Sequence, residues 1–139
     1  MEVEVKQVEG STFVGKGDSN HWLAMDTEAE HDGSEAASRP MELLLVGLGG
    51  CTGMDVNTLL KKMRVDYDDL KLDISAEREE DHPKVFTKIE ITYRIYGRDL
   101  PEDKVAKAVR LTQERYCPAT HSLKNPAEVS YEYEIVEPE

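Results

Sequence analysis

Ser38-Arg-Pro-Met-Glu-Leu-Leu-Leu-Val-Gly-Leu-Gly-Gly-Cys51-Thr-Gly-Met-Asp-Val-Asn-Thr-Leu-Leu-Lys-Lys-Met-Arg64 is the stretch that decides the fold. Pro40 suits a first helical turn, with Ser38 or Arg39 at the cap. Leu43 to Leu48 is apolar on every side, which predicts a helix buried all round. Gly47, Gly49, Gly50 and Gly53 interrupt it, each costing about 1 kcal/mol against alanine in a helix interior. Such a cost points to another backbone lying close by. Cys51, one of only two cysteines, stands among these glycines.

Upstream, Met1 to Glu9 alternates, with Val3 and Val5 on one face of a half-buried strand. Glu9-Gly10 turns the chain into a second strand around Ser11 to Lys16. A Gly/Asp/Ser/Asn turn then leads to a third strand, His21 to Asp26, which carries Trp22. Thr27 to Ser38 is acidic, small and aperiodic, and reads as an exposed connecting loop.

Downstream, Leu70, Leu72, Ile74 and Ala76 alternate with polar residues. After a loop over Glu79 to Lys84, Ile89, Ile91, Tyr93 and Ile95 do the same, as expected of an antiparallel pair covered on one side. Pro101 opens a second helix with Val105, Ala108, Val109, Thr112 and Tyr116 on one face. Cys117-Pro118 opens a short third helix, and Val129, Tyr131, Tyr133 and Ile135 predict a closing strand. The expectation is a single α+β domain over residues 1–139 with antiparallel sheets and a buried central helix, in the order βββ-α-ββ-αα-β.

Composition narrows the partners. With 29 acidic and 17 basic residues the net charge is −12, which argues against nucleic acid and anionic membrane surfaces. The opening residues lack the basic and apolar regions of a signal peptide, and no apolar run approaches the roughly 20 residues of a bilayer span. Two cysteines in such a chain read as cytoplasmic thiols, so a bond between them implies redox chemistry.

Cys51 and Cys117 lie 66 positions apart, and each taken singly reads first as a small buried apolar residue. Burial and Asp55, one turn on, are expected to raise the Cys51 thiol pKa, whereas a helix start favours ionisation of Cys117. Cys117 and His121 have the i, i+4 spacing of half a metal site. The remaining ligands would have to come from Cys51, His21, His31 or His82, none at a motif spacing. There is no P-loop, dinucleotide fingerprint or G-x-S-x-G. Neither metal nor cofactor is expected.

Pro40-Met-Glu-Leu-Leu-Leu-Val-Gly-Leu-Gly-Gly-Cys51-Thr, together with Tyr116-Cys-Pro-Ala-Thr-His-Ser-Leu123, resembles the OsmC/Ohr family, the osmotically inducible protein C and organic hydroperoxide resistance proteins. The element order resembles it too, within its OsmC-like branch. The resemblance implies an intertwined homodimer with sites at its interface, the glycines permitting close helix approach. It also implies an oxidative- or osmotic-stress antioxidant enzyme, a thiol peroxidase reducing organic hydroperoxides. Cys51 would form a sulfenic acid, Cys117 would resolve it as a disulfide, and a dithiol reductant would reopen the bond.

The family places an arginine, supported by a glutamate, against the central thiolate. Residues 1–38 contain no arginine, so Arg39 is the nearest candidate. The glutamate position after the proline holds Met41, with Glu42 one place later. Glu42 and Cys51 are separated by about 180° around a straight helix. The candidate catalytic set is therefore Cys51, Cys117, Arg39 and Glu42. The rival reading is a non-catalytic module that holds a small apolar or thiol-reactive ligand at the dimer interface.

Overall fold

A computed structural model describes residues 1–138. Its elements are β1 (Val3–Glu9), β2 (Thr12–Gly17), β3 (Leu23–Met25), α1 (Pro40–Lys62), β4 (Asp69–Arg78), β5 (Phe86–Tyr96), α2 (Glu102–Leu111) and α3 (Pro118–Lys124). The chain is thus α+β, and every expected element but one is present. It divides into two compact units, and the dividing point falls within α1. The first holds Met1–Gly50 and Leu70–Ile95; the second holds Cys51–Asp69 and the chain from Tyr96 onward.

In the first unit, β1, β2 and β3 form an antiparallel meander. Gly10 makes its first turn with a φ of +55°, a conformation that favours glycine. Val3 and Val5, expected to be half-buried, are exposed together with Val8. Trp22 is also exposed, with the ammonium groups of Lys6 and Lys16 5.1 and 4.9 Å from its ring centre. β4 and β5 form the second sheet.

The segment 27–38 is more ordered than its composition suggests. Asp26 is buried, and its carboxylate accepts hydrogen bonds from the backbone N–H groups of Thr27, Ser34 and Ala36 and from the Thr12 hydroxyl. Burial alone would raise the Asp26 pKa; these donors outweigh it and hold the carboxyl below its ordinary value. Gly33 lets the loop fold back on itself. A Cβ there would lie 2.0 Å from the Thr27 carbonyl oxygen.

α1 departs from the expectation of burial on all sides. Leu48, Thr52, Val56 and Leu60 are buried at a four-residue spacing, while Leu44, Val46 and Met54 are exposed. A single chain supplies packing for one stripe only. Gly49 faces β4, where a Cβ would come 3.0 Å from Ile74 Cδ1, whereas Gly47 and Gly50 look onto open space. At 23 residues α1 also has the length and composition of a bilayer span.

The second unit holds the buried side chains Val56, Leu60, Val65, Ala108, Thr112, Cys117 and Thr120. α2 presents Ala108 to the interior as expected, but Tyr116 is exposed. Residues 112–116 form a π-turn, closed by the Cys117 N–H on the Thr112 carbonyl. The widened turn rotates Tyr116 off the buried face.

The closing strand is the expected element that does not form. Residues 126–138 adopt neither helix nor strand, and Val129, Tyr131, Tyr133 and Ile135 are almost fully exposed. The alternation is there, but a strand also needs a neighbouring edge to take its backbone hydrogen bonds. Neither sheet pairs with it.

Candidate active site

Two elements of the second unit bring the cysteines together. Cys51 lies on α1 and is half-buried; Cys117 is fully buried at the N-cap of α3. Pro118 occupies the first turn of α3, where a missing N–H costs nothing. The Thr120 N–H donates to Cys117 Sγ at 3.4 Å, so the thiol takes the place of the usual capping oxygen. The π-turn sets this position, since its wide turn carries the backbone directly into Cys117.

The two sulfur atoms and a carboxylate oxygen of Asp55 all lie within 4.8 Å of one another. Partial burial pushes the Cys51 thiol pKa up. Its hydrogen bond with Cys117 and the negative potentials of Cys117 and Asp55 push the same way, against one hydrogen bond from the Ala119 backbone. The expected upward shift is thus present, and among the described residues no cation is one of the groups acting on this thiol. Asp55 Oδ2 is buried without a hydrogen-bond partner, and so is His121 Nε2 on α3. His121 is not one of the three converging groups; Asp55 is.

Gln113 ties the two cysteine-bearing elements together. Its side-chain amide donates to the Thr52 hydroxyl at 3.0 Å and accepts from the Thr120 hydroxyl at 3.2 Å. Thr52 follows Cys51, and Thr120 supplies the N–H that caps Cys117. Nothing in the sequence pattern marks Gln113 for this role, because it lies within the π-turn, which has no compositional signature.

Arg39 and Glu42 meet each other in the first unit. The Glu42 carboxylate accepts from the Arg39 backbone N–H at 2.9 Å, the returning half of a capping box at the start of α1. The Arg39 guanidinium pairs with Glu28 at 3.0 Å. Both residues line an open cleft of about 580 Å³ that also involves His31, Arg78 and Phe86.

The sequence pattern of the OsmC-like proteins matches residues 31–132. This chain belongs to the OsmC-like family. Protein YhfA of Escherichia coli K12 is 39% identical over 136 residues, covering 98% of both chains. A hypothetical protein of Aquifex aeolicus VF5 has a solved structure that superposes with a TM-score of 0.77 at 36% identity, covering 88% of this chain and 86% of the other. An organic hydroperoxide resistance protein OsmC from Legionella pneumophila shares the fold at a TM-score of 0.63 and 17% identity, over 89% and 90% of the two chains.

Proposed function

We propose that this OsmC-like protein is a cytoplasmic, homodimeric thiol peroxidase for organic hydroperoxides, with residues 1–139 acting as one domain. The observation that carries the reading is the convergence of two thiols of which only Cys51 is partly exposed. The name of the Legionella protein lends the substrate class.

In the reaction, the Cys51 thiolate attacks the terminal peroxide oxygen. The O–O bond breaks, an alcohol leaves with a proton, and Cys51 becomes a sulfenic acid. The buried Cys117 thiol then displaces water from that sulfur to give a disulfide. An external dithiol returns both cysteines to thiols. The sulfur atoms need a short closing movement to reach the roughly 2.05 Å of a disulfide. Gln113 limits that movement to the two cysteine-bearing segments it bridges. Arg39 and Glu42 are retained as the candidate arginine and glutamate that would act on the Cys51 thiolate.

Titration of thiols after addition of cumene hydroperoxide tests the roles. The wild type should lose both thiols per equivalent of peroxide. Cys117→Ser should consume one equivalent and yield a trappable sulfenic acid, and Cys51→Ser should leave the peroxide untouched. Peroxide consumption by Cys51→Ser at the wild-type rate would falsify the assignment.

One observation favours the rival reading, ligand binding without turnover. Arg39 is engaged by Glu28, and among the described residues no cation acts on Cys51. Sustained turnover with a dithiol reductant excludes that reading.

A further inference from the structure

Three acids converge in the second unit, and among the described residues no positive group is seen to balance them. Cys51, Asp55 and Cys117 place two sulfur atoms and one carboxylate oxygen within 4.8 Å of one another. Asp55 Oδ2 is buried and has no hydrogen-bond partner, and among the described residues no ion pair engages Asp55. A buried carboxylate oxygen left without a donor is costly. A peroxidase also has no use for a carboxylate that opposes ionisation of its thiols. Both costs disappear if the usual neighbour of this cluster is a cation.

We propose that Cys51, Asp55 and Cys117 form a binding site for a thiophilic divalent cation, of which zinc is the best match. Two thiolates and one carboxylate are a ligand set that zinc accepts, at about 2.3 Å to sulfur and 2.0–2.2 Å to oxygen. Around a tetrahedral ion such ligand atoms stand roughly 3.5–3.8 Å apart, so the present cluster needs at most a small side-chain contraction. Hard cations such as magnesium or calcium are disfavoured, because they require oxygen ligands throughout. Three protein ligands leave a fourth position to solvent, on the side where Cys51 and Asp55 are partly exposed.

The consequence for chemistry rests on the peroxidase reading. A zinc ion holding both sulfurs withholds them from peroxide. When peroxide prevails, two zinc-bound thiolates, one hydroperoxide and two protons give a disulfide, an alcohol, water and a free zinc ion. Atoms and charge balance, and the two electrons lost by sulfur are those gained by the O–O bond. Metal occupancy and peroxide reduction are then alternative states of one site.

The test uses the reduced full-length protein without peroxide, so it stands apart from the peroxidase assay. Zinc is titrated in competition with a chromogenic chelator, and cobalt(II) serves as the spectroscopic probe. The wild type should bind one zinc per chain and show a thiolate-to-cobalt charge-transfer band. Cys51→Ser and Cys117→Ser should each weaken that band and the zinc affinity.

Asp55→Asn should keep the band, which shows that both thiols remain in place, while lowering zinc affinity by about 10–100-fold. Zinc binding unchanged in the double Cys→Ser variant would mean adventitious binding by an acidic chain, and would overturn the site. Unchanged affinity in Asp55→Asn would remove Asp55 from it. With saturating zinc, peroxide consumption should stop and return on chelation; undiminished consumption would overturn the exclusion of peroxide.

Discussion

Asp55 works against the ionisation of Cys51, and that opposition is measurable one residue at a time. Burial first, then the hydrogen bond and charge of Cys117, then the charge of Asp55 hold the Cys51 pKa above its ordinary value. The thiolate fraction of Cys51 should therefore keep rising at pH values above the usual cysteine range, about 8.5. The stability contribution has the matching sign. It is fully present below the unfolded thiol pKa and is lost as pH rises through the higher folded one. Replacing Asp55 by Asn removes one upward influence. The alkylation rate of Cys51 by iodoacetamide, followed by mass spectrometry, should then rise several-fold near pH 8, with the whole pH profile displaced downward. A profile that does not move would show that Asp55 exerts no field at the sulfur. This direction is opposite to the loss of zinc affinity expected of the same variant, so one substitution separates a ligand from a mere negative neighbour.

At the scale of elements, the hydrophobic pattern specified the three α-helices and five strands. It could not specify what depends on a partner distant in sequence. The helix start at Pro40 was legible because proline, Arg39 and Glu42 are local to it. The meeting of Cys51 with Cys117 was not, because spacing says nothing of a contact 66 residues apart; only the family resemblance supplied it. The order of segment 27–38 was hidden for the same reason, and the π-turn because it has no compositional signature. That loop is built around Asp26, whose folded pKa is depressed by donors from Thr12, Thr27, Ser34 and Ala36. Its contribution is present above the unfolded carboxylate pKa, about 3.9, and is lost as pH falls through the lower folded value. The Thr27, Ser34 and Ala36 amides should be protected from hydrogen exchange at neutral pH and lose that protection in the acid range. Asp26→Asn should reproduce the loss at pH 7 while the α1 amides stay protected. Protection that survives both treatments would mean that Asp26 does not organise the loop.

Taken whole, the chain carries apolar surface that a single copy leaves open. Leu44, Val46 and Met54 on α1 are exposed, Gly47 and Gly50 leave room for another backbone, and the alternating residues of 129–136 lie unpaired. An open apolar helix face and an exposed segment of alternating apolar residues are costly in water and prone to association. A second copy packed against this surface removes both costs, which is why the homodimer belongs to the functional reading. Val46 gives the sharpest test, being 65% exposed in the isolated chain. Glutamate is a good helix former, so Val46→Glu should cost a monomer almost nothing. Buried in a dimer interface, the same carboxylate would be desolvated without a partner. Sedimentation equilibrium should show a wild-type dimer and a Val46→Glu monomer of unchanged helical circular dichroism. If both sediment as dimers, the exposed face of α1 is not the interface. If the wild type sediments as a monomer, the open face of α1 and the unpaired 129–136 segment belong to the protein as it exists in solution, and the homodimer reading is lost.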